Sequence, residues 1–444
     1  MNVEHIFRAY DIRGIFGEDL LPDVVARIGM AMGTFDQGDF IVGGDIRTST
    51  PLLKQALILG IVSTGNNVLD IGMVPIGAAI YACWSCKKTT AYVTASHLPP
   101  EWNGIKIYGR EGLSYTSEDI LRVKGIFISR RFELASWKKI GKIEQENILE
   151  EFKEYLKKFA FSSGFKIVLD CGNAATSLIA PQLFKELGHD VIELNCEIDP
   201  AFSARGAEPE PEKLTELSRI VKEEKADLGI AFDGDGDRVV FVDDKGKILS
   251  AEQAAIIMLT GGVKGDVVAN VECSSILDKY VESYGGRVYR VPVGHTFMVR
   301  KLVEVGAVLG VEKSSHFAVP LNPLLEEGLL TSIYFIESLA KIKRKISEVI
   351  PEIKPLKRMK IRVDESKKFK IAEKIKEKII EKYENVDTID GVRVNLEDGW
   401  FLIRPSNTEP LIRITAEGVN EEKTLEILKT AEKIAMEVMK EFTS

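Results

Sequence analysis

The segment DGDGDR, residues 233–238, sets three carboxylates, Asp233, Asp235 and Asp237, at alternate positions with a glycine between each pair. Glycine lets the backbone fold tightly enough to turn all three acids toward one point. Carboxylates held that close repel one another unless a cation neutralises them. The motif therefore predicts a site for a hard divalent cation, with a plain acidic hairpin turn as the alternative. Counted from Asp233, the twelfth loop position, where a calcium-binding helix-loop-helix carries its bidentate glutamate, is Asp244, inside the β-rich run VVFVDDKG. Magnesium is expected over calcium.

Three further polar loops carry chemistry. TASHLPPEWNG puts Ser96 and His97 at a strand end, with Pro99, Pro100 and the Asn103-Gly104 turn fixing the path that follows. Ser96 is a candidate nucleophile, although a lone loop serine is more often a cap or turn residue, and no G-x-S-x-G elbow supports hydrolase chemistry. GVEKSSHF groups Glu312, Lys313, Ser314, Ser315 and His316, donors and acceptors suited to the hydroxyls of a polyol, or else a surface turn. RPSNTEP offers Arg404, Ser406, Asn407 and Thr408, a donor-rich turn that suits a phosphate or a carboxylate.

The elements that must position these loops form a threefold pattern. FIVGGD, PLLKQALILGIVSTG, NVLDIG and TAYVTASH recur in kind as KIVLDCG, SLIAPQLFKELG, HDVIEL and ADLGIAFDGDGDR, and again as DVVANV, SILDKYVESYGG, RVYRVPVG and AVLGVEKSSH. Helices between short apolar strands mark βαβ units and mainly parallel sheets. Ligands of such sheets gather at the carboxyl ends of strands, where the third run of each copy ends in a polar loop. In the first helix Leu52, Leu53, Ala56, Leu59 and Gly60 recur at helical spacing and are expected in the core, as are Leu183, Phe184 and Leu187 in the second. Past about residue 355 a Lys/Glu-rich helix with Ile371, Ile375 and Ile379 joins strands such as GWFLIRP and LIRITAEG, which predicts a smaller α+β domain with solvated i,i+4 charge pairs. The expected fold is three topologically similar, mixed but mainly parallel α/β domains over residues 1–150, 151–251 and 252–355, plus an α+β domain over 356–444.

Composition limits the alternatives. The chain has 444 residues, 45% of them apolar, enough for a substantial core. Net charge is −8 with the basic residues dispersed, which argues against a nucleic-acid partner or an anionic membrane. No apolar run approaches the roughly 20 residues of a spanning helix, and MNVEHIFRAYD lacks the regions of a signal peptide. A soluble cytoplasmic protein is expected. The five cysteines do not form a disulfide framework, and Cys83 and Cys86 read as two buried structural thiols rather than half a zinc site. Gln occurs five times against abundant Lys and Glu, a bias of heat-adapted proteins. There is no Walker A or G-x-G-x-x-G motif, and His5 and His189 read as structural or exposed.

In this order and at these separations, the four loops resemble those of the α-D-phosphohexomutase family of phosphomannomutases and phosphoglucomutases, as does the opening FRAYDIRGIFG, and the resemblance covers nearly the whole chain. It implies the four domains surround a central cleft. It also implies that Ser96 is a phosphoserine whose phosphate oxygen completes the coordination of magnesium on Asp233, Asp235 and Asp237. The implied reaction moves phosphate between the 1 and 6 positions of a hexose through a sugar bisphosphate, which serves as intermediate and activator, with sugar phosphates as the small-molecule partners. By the same resemblance His97, Arg13, Lys106 and His316 serve proton transfer and charge stabilisation. Arg8, Tyr10, Arg238, Gly294, His295, Glu312 and Ser314 contact substrate, and Arg404, Ser406, Asn407 and Thr408 hold the far phosphate.

Two positions depart from the family pattern: Leu98 replaces an asparagine and Ser315 a glycine. Asn407 resembles the mannose/glucose branch, which makes those hexose phosphates the expected substrates. A mutase for a pentose or glucosamine phosphate is the second reading, and a non-catalytic sugar-phosphate sensor the third. Oligomeric state, from monomer to small homo-oligomer, stays open.

Overall fold

The computed structural model describes residues 3–321, 324–364, 366–406 and 410–442. The chain divides into two compact units, one of Met1–Ser250, Ile257–Val263 and Ser314–Ile350, the other of Ala251–Ile256, Lys264–Lys313 and Pro351–Ser444.

The first unit holds the six-stranded and the four-stranded sheet and the paired strands Phe317–Leu321 and Leu324–Glu326. In the six-stranded sheet, Phe40–Gly44 lies between Val68–Met73 and Thr89–Val93, all parallel, with Trp102–Tyr108 and Ile12–Ile15 added antiparallel beyond Thr89–Val93. The four-stranded sheet repeats this order: Lys166–Asp170 lies between Asp190–Leu194 and Leu228–Phe232, all parallel, and Val239–Val242 closes it antiparallel. In the second unit Val267–Asn270 lies between Val288–Val291 and Leu309–Val311, again parallel. The three α/β repeats read from the sequence thus share one strand order, and in each the third strand runs directly into a polar loop.

Strands such as Phe40–Gly44, Thr89–Val93 and Leu228–Phe232 are buried along their whole length, as strands covered on both faces must be. The helix Thr50–Ser63 starts with Pro51 in its first turn, where a missing N–H costs nothing, and crosses Pro22–Phe35 closely. A β-carbon on Gly60 would lie 2.0 Å from Ala26 O, so glycine is what permits that contact. On the helix Thr50–Ser63, Leu53, Ala56 and Gly60 are buried, but Leu52 and Leu59 are 51% and 60% exposed, against the expectation that all five are core. The helix is apolar around most of its circumference, so spacing alone did not reveal its outer face. In the helix Ile76–Cys86 the same ambiguity applies: Cys83 is buried while Cys86 is exposed, not the second buried thiol expected.

The C-terminal part of the second unit is an antiparallel sheet in the order Leu356–Arg362, Leu411–Gly418, Gly399–Pro405, Val392–Leu396, Val386–Asp387. Ile371, Ile375 and Ile379 of the helix Lys368–Ile380 are buried in the core formed with Phe401, Ile412 and Ile414. Among the described residues its exposed charges pair at i,i+3, Glu373 with Lys376 and Lys374 with Glu377, where i,i+4 spacing was expected. Among the described residues no helix is long and apolar enough to cross a membrane.

Candidate active site

Ser96 lies just past the strand Thr89–Val93, and the loop there is bound from several sides. The serine is 1% exposed and its backbone is left-handed, with φ +53°, a conformation costing an L-residue about 1–2 kcal/mol. Other contacts must therefore enforce it. Ser96 N donates to Thr94 Oγ1 at 2.8 Å, and Thr94 Oγ1 in turn donates to Asp45 Oδ2 at 2.7 Å. Opposite, a β-carbon on Gly234 would sit 2.3 Å from Ser96 O, so the backbone of the loop 233–238 approaches the serine more closely than any side chain allows.

The Ser96 hydroxyl donates to Asp233 Oδ2 at 2.8 Å, although the two residues belong to different sheets. Asp233, Asp235 and Asp237 follow the strand Leu228–Phe232 and offer oxygens within 4.8 Å of one another. They are 0%, 0% and 3% exposed. This is a buried cluster, not the surface loop its polarity suggests. Burial first, then the neighbouring Asp237 and Asp235, hold the Asp233 carboxyl well above its usual pKa. Lys106 Nζ donates to Asp235 Oδ2 at 2.9 Å and to Asp237 Oδ2 at 2.6 Å. Burial opposes the Lys106 charge, but the two carboxylates together outweigh it and raise its pKa well above the ordinary lysine value.

The cluster fits a hard cation on its own chemistry. All its donors are carboxylate oxygens, and Asp235 Oδ1 is buried without a hydrogen-bond partner.

The first unit also carries other residues expected at the site. His97 Nδ1 lies 3.4 Å from Ser96 Oγ, and burial, then the Arg238 and Arg13 charges, hold this imidazole neutral by lowering its pKa well below the usual value. Arg13, on the strand Ile12–Ile15, donates to Asp11 Oδ2 at 2.6 Å and reaches Ala95 O at 3.5 Å. Arg8 and Tyr10 lie in the turn leading into that strand, where Arg8 N donates to Asp11 O at 2.9 Å. Arg238 binds Glu208 at 3.0 Å. His316 is buried with Nε2 3.1 Å from Asp237 Oδ1 and 3.8 Å from Glu326 Oε1, and its Nδ1 3.0 Å from Ser314 Oγ. Ser315 is left-handed, with φ +67°.

The second unit gathers a separate set. Glu312 Oε1 accepts from Gly294 N at 2.8 Å and Asn270 Nδ2 at 3.2 Å, at the amino end of the helix His295–Val305. Lys313 is paired with the fully buried Glu252 at 3.0 Å. Arg404 is 2% exposed, donates to Asp390 at 3.0 Å and lies 3.5 Å from Glu272. Ser406 is buried, with its N–H on Leu411 O at 2.8 Å. Asn407 and Thr408 lie outside the described residues.

Sequence reasoning assigned no role of their own to Asp45, Arg47, Thr94 and Glu326. The first two end the strand Phe40–Gly44, at the same sheet edge as Ser96, so the strand-end rule applied to every parallel strand would have reached them.

Comparison with known proteins identifies the family. Four family models match in succession: phosphoglucomutase/phosphomannomutase alpha/beta/alpha domain I over 4–133, domain II over 149–246, domain III over 248–356, and the C-terminal domain over 359–434. A probable phosphoglucosamine mutase of Pyrococcus abyssi is 36% identical over 99% of both chains. A phosphoglucomutase/phosphomannomutase of Thermococcus kodakarensis is 35% identical over 98% of this chain and 99% of its own. The crystal structure of a phosphoglucomutase/phosphomannomutase family protein from Burkholderia thailandensis superposes with a TM-score of 0.87 at 29% identity, covering 98% of each chain. The chain belongs to the phosphoglucomutase/phosphomannomutase family of α-D-phosphohexomutases, and is an isomerase of the intramolecular phosphotransferase type.

Proposed function

We propose that this enzyme shifts phosphate between the 1 and 6 positions of a hexosamine phosphate, with glucosamine phosphate the first substrate to test, and that Ser96 carries the phosphate in transit. The observation that supports this most is the contact of the buried, left-handed Ser96 with Asp233, which joins a nucleophile to a cluster of three carboxylates.

Asp233, Asp235, Asp237 and an oxygen on phosphorylated Ser96 would hold magnesium, which when bound neutralises charge on the transferring phosphate. Phosphoryl transfer asks little covalent help of a protein beyond positioning and such neutralisation. Lys106, held protonated, and Arg13, beside Ala95, supply further positive charge at the reacting group. His97, held neutral 3.4 Å from Ser96 Oγ, can take up and return the serine proton. In the first half, a sugar hydroxyl attacks the Ser96 phosphate, its proton passes to a base, and the bond from Ser96 Oγ to phosphorus breaks. The resulting bisphosphate turns end for end, and its other phosphate returns to Ser96. His316 is assigned to proton transfer, Arg8, Tyr10, Arg238, Gly294, His295, Glu312 and Ser314 to the sugar, and Arg404, Ser406, Asn407 and Thr408 to the phosphate not in transit.

The names of several relatives support glucosamine, against the preference drawn from Asn407. A mannose or glucose phosphate is the second reading, supported by Asn407 and by the name of the Thermococcus kodakarensis relative. Coupled assays with the 1-phosphates of glucosamine, mannose, glucose and ribose decide between them. Intact-mass analysis is expected to show a phosphorylated fraction that Ser96→Ala abolishes together with turnover. A single unphosphorylated species after incubation with sugar bisphosphate would overturn the mechanism.

A further inference from the structure

We propose that Arg47 is the positioning residue for phosphoryl transfer at Ser96, a role that rests on the mutase reading above. Its guanidinium is the hub on which the whole nucleophile loop is folded. Nη2 donates to Ser96 O and Leu98 O, each at 2.7 Å, while Nη1 donates to Pro99 O at 2.5 Å and Trp102 O at 3.1 Å. Nε donates to Asp45 Oδ2 at 3.0 Å. A guanidinium has five N–H donors in a rigid fork, and here five acceptors meet it, four of them carbonyls from one short loop.

The geometry goes beyond ordinary packing in three ways. Arg47 is 0% exposed, so each of those carbonyls would lose its partner without recourse to water if the side chain were cut back. The bond to Ser96 O fixes the carbonyl of the left-handed residue itself, on a peptide that the Gly234 backbone also crowds. The partner carboxylate, Asp45, accepts from Thr94 Oγ1 at 2.7 Å, and Thr94 Oγ1 lies 3.2 Å from Asp235 Oδ2. One buried ion pair thus connects the serine to the carboxylate cluster. Phe202, whose ring centre lies 4.9 Å from the guanidinium carbon, closes the site.

Lysine cannot replace this hub, because an ammonium has three donors and no planar fork. In Arg47→Lys and Arg47→Met the loop loses the bonds that hold Ser96 Oγ against Asp233, and kcat is expected to fall about 100-fold, the scale of a 1 Å misplacement. KM is expected to stay within about threefold, because Arg47 does not touch the sugar. Methylguanidinium supplied to Arg47→Gly is expected to recover about tenfold in kcat, a response that general destabilisation does not give.

Lys54→Met is the stability control. It breaks the buried Lys54–Asp70 pair of the same sheet region without touching the loop, and is expected to lower Tm but leave kcat unchanged. Hydrogen exchange reads the proposal without any substrate. Arg47→Met is expected to raise exchange about tenfold across residues 96–102 and to leave the strand Trp102–Tyr108 beyond Asn103 at wild-type rates. Folded Arg47 variants with kcat within about threefold of wild type, or an unchanged exchange pattern, would overturn the assignment, as would an equal kcat loss in Lys54→Met. If the wild type turns over no sugar phosphate at all, the mutase reading fails, and the exchange experiment alone decides whether Arg47 holds the loop.

Discussion

Lys106 Nζ lies 2.6 Å from Asp237 Oδ2, and both side chains are almost completely buried. The ammonium also binds Asp235, so one lysine offsets part of the charge of three clustered acids. Removing one partner of a buried ion pair costs about 3–5 kcal/mol, because the other is left uncompensated. Lys106→Met is expected to lose stability on that scale in metal-free buffer. Magnesium should return part of it, since a ligand that binds only the folded state stabilises it by mass action. Thermal melts with EDTA and with millimolar magnesium check this, and a larger magnesium-dependent rise in Tm in the variant than in wild type is the expected result.

Asp235→Asn should abolish that rise. Asp235 Oδ1 is a buried oxygen without a hydrogen-bond partner, and the amide removes the charge a hard cation requires. Turnover is expected to drop by about 100-fold or more. Because Oδ2 accepts from Lys106 inside the protein, a stability loss of about 1–3 kcal/mol accompanies it. Magnesium-dependent melting that matches wild type would remove Asp235 from the metal site.

Why these loops were legible, and Arg47 was not, follows from the range of the forces involved. Alternating glycine and aspartate, strand runs of five apolar residues and Ile371, Ile375 and Ile379 four apart are local patterns, each enforced by backbone geometry within a few residues. Arg47 in GGDIRTS is an ordinary strand-end arginine until carbonyls some fifty residues later fold over it. Glu326 becomes a neighbour of His316 only when the strands Phe317–Leu321 and Leu324–Glu326 pair antiparallel. Leu52 and Leu59 show the opposite failure: an apolar residue on a mostly apolar helix has no local signal for which side faces water.

Ser315 occupies the position where the family resemblance expects glycine, and its φ of +67° is the conformation glycine adopts without strain. Ser315→Gly is expected to stabilise the protein by about 1 kcal/mol, offset in part by the greater flexibility of the unfolded chain. Urea unfolding measures this. The same variant in the sugar-phosphate panel tests whether the serine side chain bears on substrate choice, with a changed ratio of kcat/KM between glucosamine and glucose phosphates as the expected outcome.

Gly234→Ala is expected to do its damage at the serine. The added carbon would lie 2.3 Å from Ser96 O, and neither backbone can yield cheaply, since Arg47 grips that carbonyl from the other side. Turnover should fall about 100-fold through displacement of Ser96, the proposed nucleophile. A structure or exchange pattern of the variant with the Ser96 loop unmoved would contradict the tight approach.

Far from the site, His189 gives the protein a pH-dependent stability of calculable sign. Its ring is buried between Phe165 and Phe184, with centroids 5.9 Å and 6.3 Å away, and Nδ1 has no hydrogen-bond partner. Burial lowers its pKa, and the charge of Glu337 only partly opposes this. The unfolded chain therefore takes up a proton as pH falls through about 6.5, while the folded chain does not until lower pH. In that window the unfolded state binds more protons, so stability drops with falling pH and is fully present above it. His189→Leu removes this titration without adding a charge. Denaturant unfolding at pH 7.5 and pH 5 should show a smaller difference in the variant than in wild type, and an equal or larger difference would mean that the imidazole titrates normally between the two phenylalanines.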